Sequence, residues 1–238
     1  MGAFGEQKEI EPMSTYKWNV LNSVASIHMV KAFIDKARGL EIHPPMLPIP
    51  DAGLTRMRNP LLNGRLQRIR QSEPLSDDAS IETLNMLDIL VQATEATISY
   101  GLSYGNIVKT GLYLRSDGDK IDYLKLEAWL HKLHIHRMTQ LTASILVQTL
   151  GFSADEIPFL TIEEKNAWAM ALASLDNPLH IDTKEWQTRQ LGNGLVETNS
   201  RAMAQTARNC MRYFVLAPIE STSCFVSRFA DSLANLKE

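Results

Sequence analysis

Three observations predict an all-α fold. Apolar residues recur three and four apart through most of the chain, the spacing that lines one face of a helix. Residues 119–151 form the longest uninterrupted run, with neither Pro nor Gly before Gly151. Only residues 107–114 alternate with the period of a strand, and a lone strand has nothing to pair with.

The chain opens on a polar, acidic stretch, residues 1–13, expected to be a flexible arm. It has neither the basic start nor the apolar centre of a secretory signal. Gly2 lacks the Ser or Thr at position 6 that myristoylation needs, because Glu6 stands there. Ser14 or Thr15 caps a first helix expected to run to Arg38, with Trp18, Leu21, Val24, Ala25, Met29, Ala32 and Phe33 on one broad face. Gly39 suits its left-handed stop. Pro44, Pro45, Pro48 and Pro50 then rule out helix or central strand, so residues 41–53 read as an extended apolar connector. The main domain spans 54–238 and is expected to form one fold with residues 14–40.

Pro60 is a good first helical residue, and Leu62, Leu66 and Ile69 follow as an apolar stripe. An amphipathic helix comes next, from about 79 to 100, with Ile81, Leu84, Leu87, Val91, Thr94 and Ile98 inside and Gly101 at its end. In 107–114, Val108, Leu112 and Leu114 alternate with small or polar residues before an Asp117-Gly118 turn, which predicts the single strand or hairpin arm. Residues 119–151 predict one helix roughly 45 Å long at 1.5 Å per residue, the central strut for the rest. Thr161 to Glu164 has the spacing of a capping box, opening a helix over Trp168, Ala171, Leu172 and Leu175. A short helix around Trp186, a break at Gly192-Asn193-Gly194, a helix from 197 to 216 stopped by Pro218, and a last helix over 221–236 complete the prediction.

A chain of 238 residues buries roughly 70–75% of its unfolded surface and needs no disulfide or metal to fold. The two cysteines, Cys210 and Cys224, form no CxxC pair, which suits a reducing compartment. No apolar run approaches the ~20 residues that span a bilayer. A cytoplasmic location, or one within a particle, is therefore the expectation. Net charge is −3, so any attraction to a polyanion must come from a local patch.

Such a patch is present. Arg56, Arg58, Arg65, Arg68 and Arg70 fall within fifteen residues with no acid among them. Guanidinium stays charged at every relevant pH and forks onto two oxygens, as phosphate recognition requires. Arg201, Arg208 and Arg212 form a second set at spacings of seven and four. Facing one groove, the two stripes would make a track for a nucleic-acid backbone without reading its sequence. The competing explanation is internal pairing, since Glu73, Asp77, Asp78, Glu82, Asp88 and Glu95 precede the next base, Lys109.

No P-loop, GxSxG elbow or GxGxxG fingerprint marks nucleophilic or nucleotide chemistry, and no cofactor is called for. Glu127, His131 and His134 share a helix face and make a weaker metal-site alternative, without a further ligand in view. Together these features predict a non-enzymatic protein that associates with itself. RNA or single-stranded DNA is the expected further partner, giving it the character of a viral or phage nucleocapsid or matrix component. A helical adaptor with protein partners is the alternative, and a helical metal-dependent enzyme the third.

Overall fold

The computed structural model describes residues 13–37, 55–176 and 199–234. Among these lie ten α-helices and no strand, in agreement with the all-α prediction. The arm before Met13, the proline connector, the short helix around Trp186 and the break at Gly192–Gly194 lie outside the described residues.

Helix α1 (Thr15–Ile27) is capped by the Ser14 side chain, which accepts from the Lys17 N–H. It does not continue to Arg38. Met29 adopts a left-handed φ of 58°, Val30 N–H turns back to the Ala25 carbonyl at 2.8 Å, and α2 (Lys31–Ala37) leaves in a new direction. Helix α3 (Pro60–Ser72) begins as the sequence predicts, with Asn59 Oδ1 accepting from the N–H groups of Leu61 and Leu62. Its buried stripe is Leu62, Leu66 and Ile69.

The strut of the molecule is α4 (Ile81–Tyr100), of whose twenty residues thirteen are buried. Five further helices pack on it: α5 (Tyr104–Asp117), α6 (Tyr123–Lys132), α7 (His136–Leu150), α9 (Asn199–Tyr213) and α10 (Pro218–Ala234). A helix covered on several sides needs apolar or small residues all round, and Leu84, Met86, Leu87, Ile89, Leu90, Val91 and Ala93 supply them.

The predicted strand over 107–114 is instead part of α5. Its buried residues Ile107, Val108, Thr110, Gly111 and Leu114 fall at helical spacing, which outweighs the short alternation. Gly105 lets α5 touch the α1–α2 corner: its N–H donates to the His28 carbonyl at 2.8 Å, and a Cβ there would lie 2.7 Å from that oxygen.

The predicted helix over 119–151 is two helices, α6 and α7. His134 takes a φ of 55°, its N–H bonds the His131 carbonyl and Ile135 N–H bonds the Leu130 carbonyl, both at 3.1 Å. This is a Schellman closure, completed by the accompanying apolar pair Leu130 and Ile135, both fully buried. The reason is phase. Leu133 and Ile135 are two apart, on nearly opposite faces of a straight helix, yet both are 0% exposed. Helices α6 and α7 are not covered all round as α4 is, and the break at the residue between Leu133 and Ile135 turns both side chains inward.

Helix α8 (Ala167–Asp176) starts six residues later than the predicted capping box at Thr161. The N–H groups of Thr161 and Ile162 go to Gln140 Oε1, and that of Glu164 goes to Ser144 Oγ. The segment is thus strapped to α7 in an irregular conformation. Pro218 also begins α10 rather than merely ending the helix before it.

Candidate functional site

The arginines of α3 and its approach divide by what surrounds them. Arg70 points inward. Its Nε donates to Asp88 Oδ1 at 3.0 Å, Nη2 closes on the same oxygen, and Nη1 donates to the Thr55 carbonyl at 2.8 Å. Both side chains are withdrawn from water, at 9% and 1% exposure. Burial still raises the Asp88 pKa, against the opposing pull of Arg70.

Arg58 is exposed but lies 3.5 Å from Glu95 Oε2. Its backbone N–H and that of Asn59 donate to Glu220 at 2.9–3.3 Å, fastening the first turn of α10 to the cap of α3. Burial, followed by the hydrogen bond and charge of Glu220, pushes the Glu95 carboxyl up to about 9. Arg70 therefore follows the internal-pairing alternative, whereas Arg58 touches a carboxyl that holds its proton to about 9 and so does not neutralise it.

Arg56, Arg65 and Arg68 make no ion pair among the described residues, and Arg56 and Arg68 are exposed. Arg65 Nη1 donates to the Lys132 carbonyl at 2.9 Å. That bond sets the basic face of α3 against the end of α6, where Lys132 and His134 are exposed. Two residues into the next helix, Arg137 pairs with Glu164 at 2.8 Å and donates to the Val215 carbonyl at 3.3 Å. Val215 follows α9, on which Arg208 and Arg212 are exposed. The side chain of Arg201 lies outside the described residues. Lys132 and Arg137, on either side of the α6–α7 break, are basic positions that sequence reasoning missed, because the backbone of the first meets Arg65 and the side chain of the second meets Val215, both far off in the chain.

The break also rearranges the histidines. Glu127, His131 and His136 come together, their ligand atoms all within 4.8 Å of one another, and His134 is not in the group. The rings of His131 and His136 stack with centroids 4.1 Å apart and 17° between planes. Burial, then the neighbouring His131, holds the His136 pKa below its ordinary value, with Glu127 opposing.

Outside the basic residues, α10 turns an apolar stripe outward. Phe225, Val226 and Phe229 are 41–59% exposed, and the two phenyl rings stack at 6.2 Å. Cys210 and Cys224 are both buried, in contact across the α9–α10 pair. No described helix is long and apolar enough to cross a membrane. Compared with protein-family models, curated proteins and solved structures, the chain matches none.

Proposed function

We propose that this chain is a non-enzymatic, self-associating helical protein that binds RNA or single-stranded DNA through the phosphate backbone, nucleocapsid-like in character. The observation that carries it is the Arg65–Lys132 contact. It brings Arg65, which no described carboxylate pairs, against the backbone of the exposed Lys132, and the equally unpaired Arg68 follows three residues along α3, which supports a local positive surface on a chain of net charge −3. Arg56, on the approach to α3, and Arg208 and Arg212, on α9, are further exposed arginines. Arg70 takes no part, because its donors are spent inside the fold. Arg58 is held against the Glu95 side chain at 3.5 Å, which limits its reach toward an outside phosphate.

A surface of this kind grips phosphates and releases counterions, so affinity falls steeply with salt and varies little with sequence. The outward apolar stripe of α10 supports association between copies.

Filter binding to a single-stranded RNA or DNA homopolymer tests the proposal. Arg65→Glu together with Arg68→Glu should weaken binding and reduce the salt slope by about two. Unchanged binding in that variant, or none by the parent chain, refutes it.

A further inference from the structure

We infer that His28 is a pH-operated latch: by taking up a proton on its imidazole it uncaps α5 and releases the α1–α2 hairpin from α5 and α8. The latch stands independently of the nucleic-acid proposal.

It is built on a helix end that has no cap of its own. The first N–H groups of a helix lack intrahelical acceptors and need partners from elsewhere. Ser103, the residue placed to provide one for α5, makes no side-chain capping bond. His28, at the end of α1, supplies the acceptors instead. Its carbonyl accepts from the Gly105 N–H at 2.8 Å and from Ser103 Oγ at 3.5 Å. Its ring Nδ1 faces the Tyr104 N–H at 3.4 Å.

Those contacts fix the protonation state of the ring. A backbone N–H can only donate, so Nδ1 carries the lone pair. A carbonyl can only accept, so Nε2, 3.2 Å from the Ser174 carbonyl of α8, carries the hydrogen. The imidazole is therefore neutral, with one nitrogen committed to α5 and the other to α8. It is fully buried, and the Tyr104 ring meets it in a T-shaped contact at 5.5 Å.

A second proton has no accommodating place. On Nδ1 it would turn the acceptor into a donor opposite the Tyr104 N–H. The resulting cation would also lie against the positive end of the α5 dipole. The titratable group that α5 turns to the ring is Tyr104, which burial keeps in its neutral form. From α8 the ring meets the Ser174 carbonyl, and the Asp176 side chain lies outside the described residues. Neither Lys31 nor Asp35 of α2 exerts a charge on the ring. Burial, against the opposing Ser174 bond, accordingly holds the His28 pKa below 6.5.

The hairpin has little else to hold it, since Ala25 is the one buried residue of α1. A released His28 binds its proton more readily than a docked one. Docking is thus complete above 6.5 and weakens as pH falls below that value, by at most about tenfold in its equilibrium constant per pH unit.

The test is amide hydrogen exchange, read by NMR on the full chain at pH 7.5 and pH 5.5 and corrected for intrinsic rates. The amides of Tyr104, Gly105 and α1–α2 should exchange several-fold faster at the lower pH, relative to those of α4. His28→Asn keeps an acceptor near the Nδ1 position that takes no proton, and the difference between the two pH values should vanish. Gly105→Ala, whose Cβ would lie 2.7 Å from the His28 carbonyl, should leave the hairpin open at both. Nitrogen shifts of the parent should show the hydrogen on Nε2 and protonation of His28 below 6.5. Equal protection of the hairpin at both pH values in the parent overturns the inference. So does a pH dependence that survives His28→Asn, which would assign the transition to another group such as His136, or a His28 ring that carries its hydrogen on Nδ1.

Discussion

Arg70 and Asp88 illustrate how one pair of residues decides between function and architecture. An arginine in a basic segment is ordinarily solvated, yet this one is 9% exposed beside an aspartate at 1%. Removing one partner of such a pair strands the other charge in a low dielectric, at a cost of about 3–5 kcal/mol. Arg70→Met should therefore lower the stability measured by urea unfolding by about that much. Arg70→Met combined with Asp88→Leu should recover most of the loss, because two apolar side chains leave no orphan charge. A small effect of the single change would show the pair to be solvated. Glu95 supplies a pH signature at the same scale. Its folded pKa is about 9, against an unfolded value near 4.5, so the folded chain holds a proton that the unfolded chain has released. Stability contributed by this group is then complete below about 4.5 and declines as pH rises through 9. Glu95→Gln should flatten the fall in melting temperature between pH 5 and pH 9. A parent melt that does not change across that window would contradict the raised value.

At the scale of the element, the breaks matter more than the helices. His134 sits at the left-handed position that closes α6, where glycine meets no steric penalty. His134→Gly should raise stability by up to about 1 kcal/mol, the strain relieved less the extra chain entropy, read from chemical unfolding. Destabilisation instead would mean that the imidazole makes an interaction worth more than the strain. The phase slip that causes this break was legible: Leu130, Leu133, Ile135 and Met138 cannot share one stripe. The absence of Pro and Gly masked it, since those residues are the usual punctuation but are not required for a Schellman turn. The supposed strand over 107–114 was less legible. Eight residues of alternation carry little information when the same stretch also fits spacings of three and four, and packing against α4 and α7 settles it.

For the whole molecule, the charge that remains outside and the apolar surface that remains outside set its behaviour toward partners. The exposed stripe of Phe225, Val226 and Phe229 on α10 should support contact between copies. Val226→Glu with Phe229→Glu should lower the average mass in light scattering across a concentration series. A parent that stays monomeric throughout would remove self-association from the proposed function.

The all-α class, the Pro60 start and the stripe of α3, and the end of α4 at Gly101 were determined by the sequence alone, because local spacing and terminus chemistry decide them. Which arginines are free, which histidine joins Glu127 and His131, and which helix is the central strut were decided only by the tertiary structure. Those outcomes depend on residues far apart in the chain, Arg70 with Asp88, Arg65 with Lys132 and Gln140 with Thr161. No window of local periodicity contains both members of such a pair. Burial of Leu133 and Ile135 together, which folds α7 away from α6, is itself a response to the surrounding core.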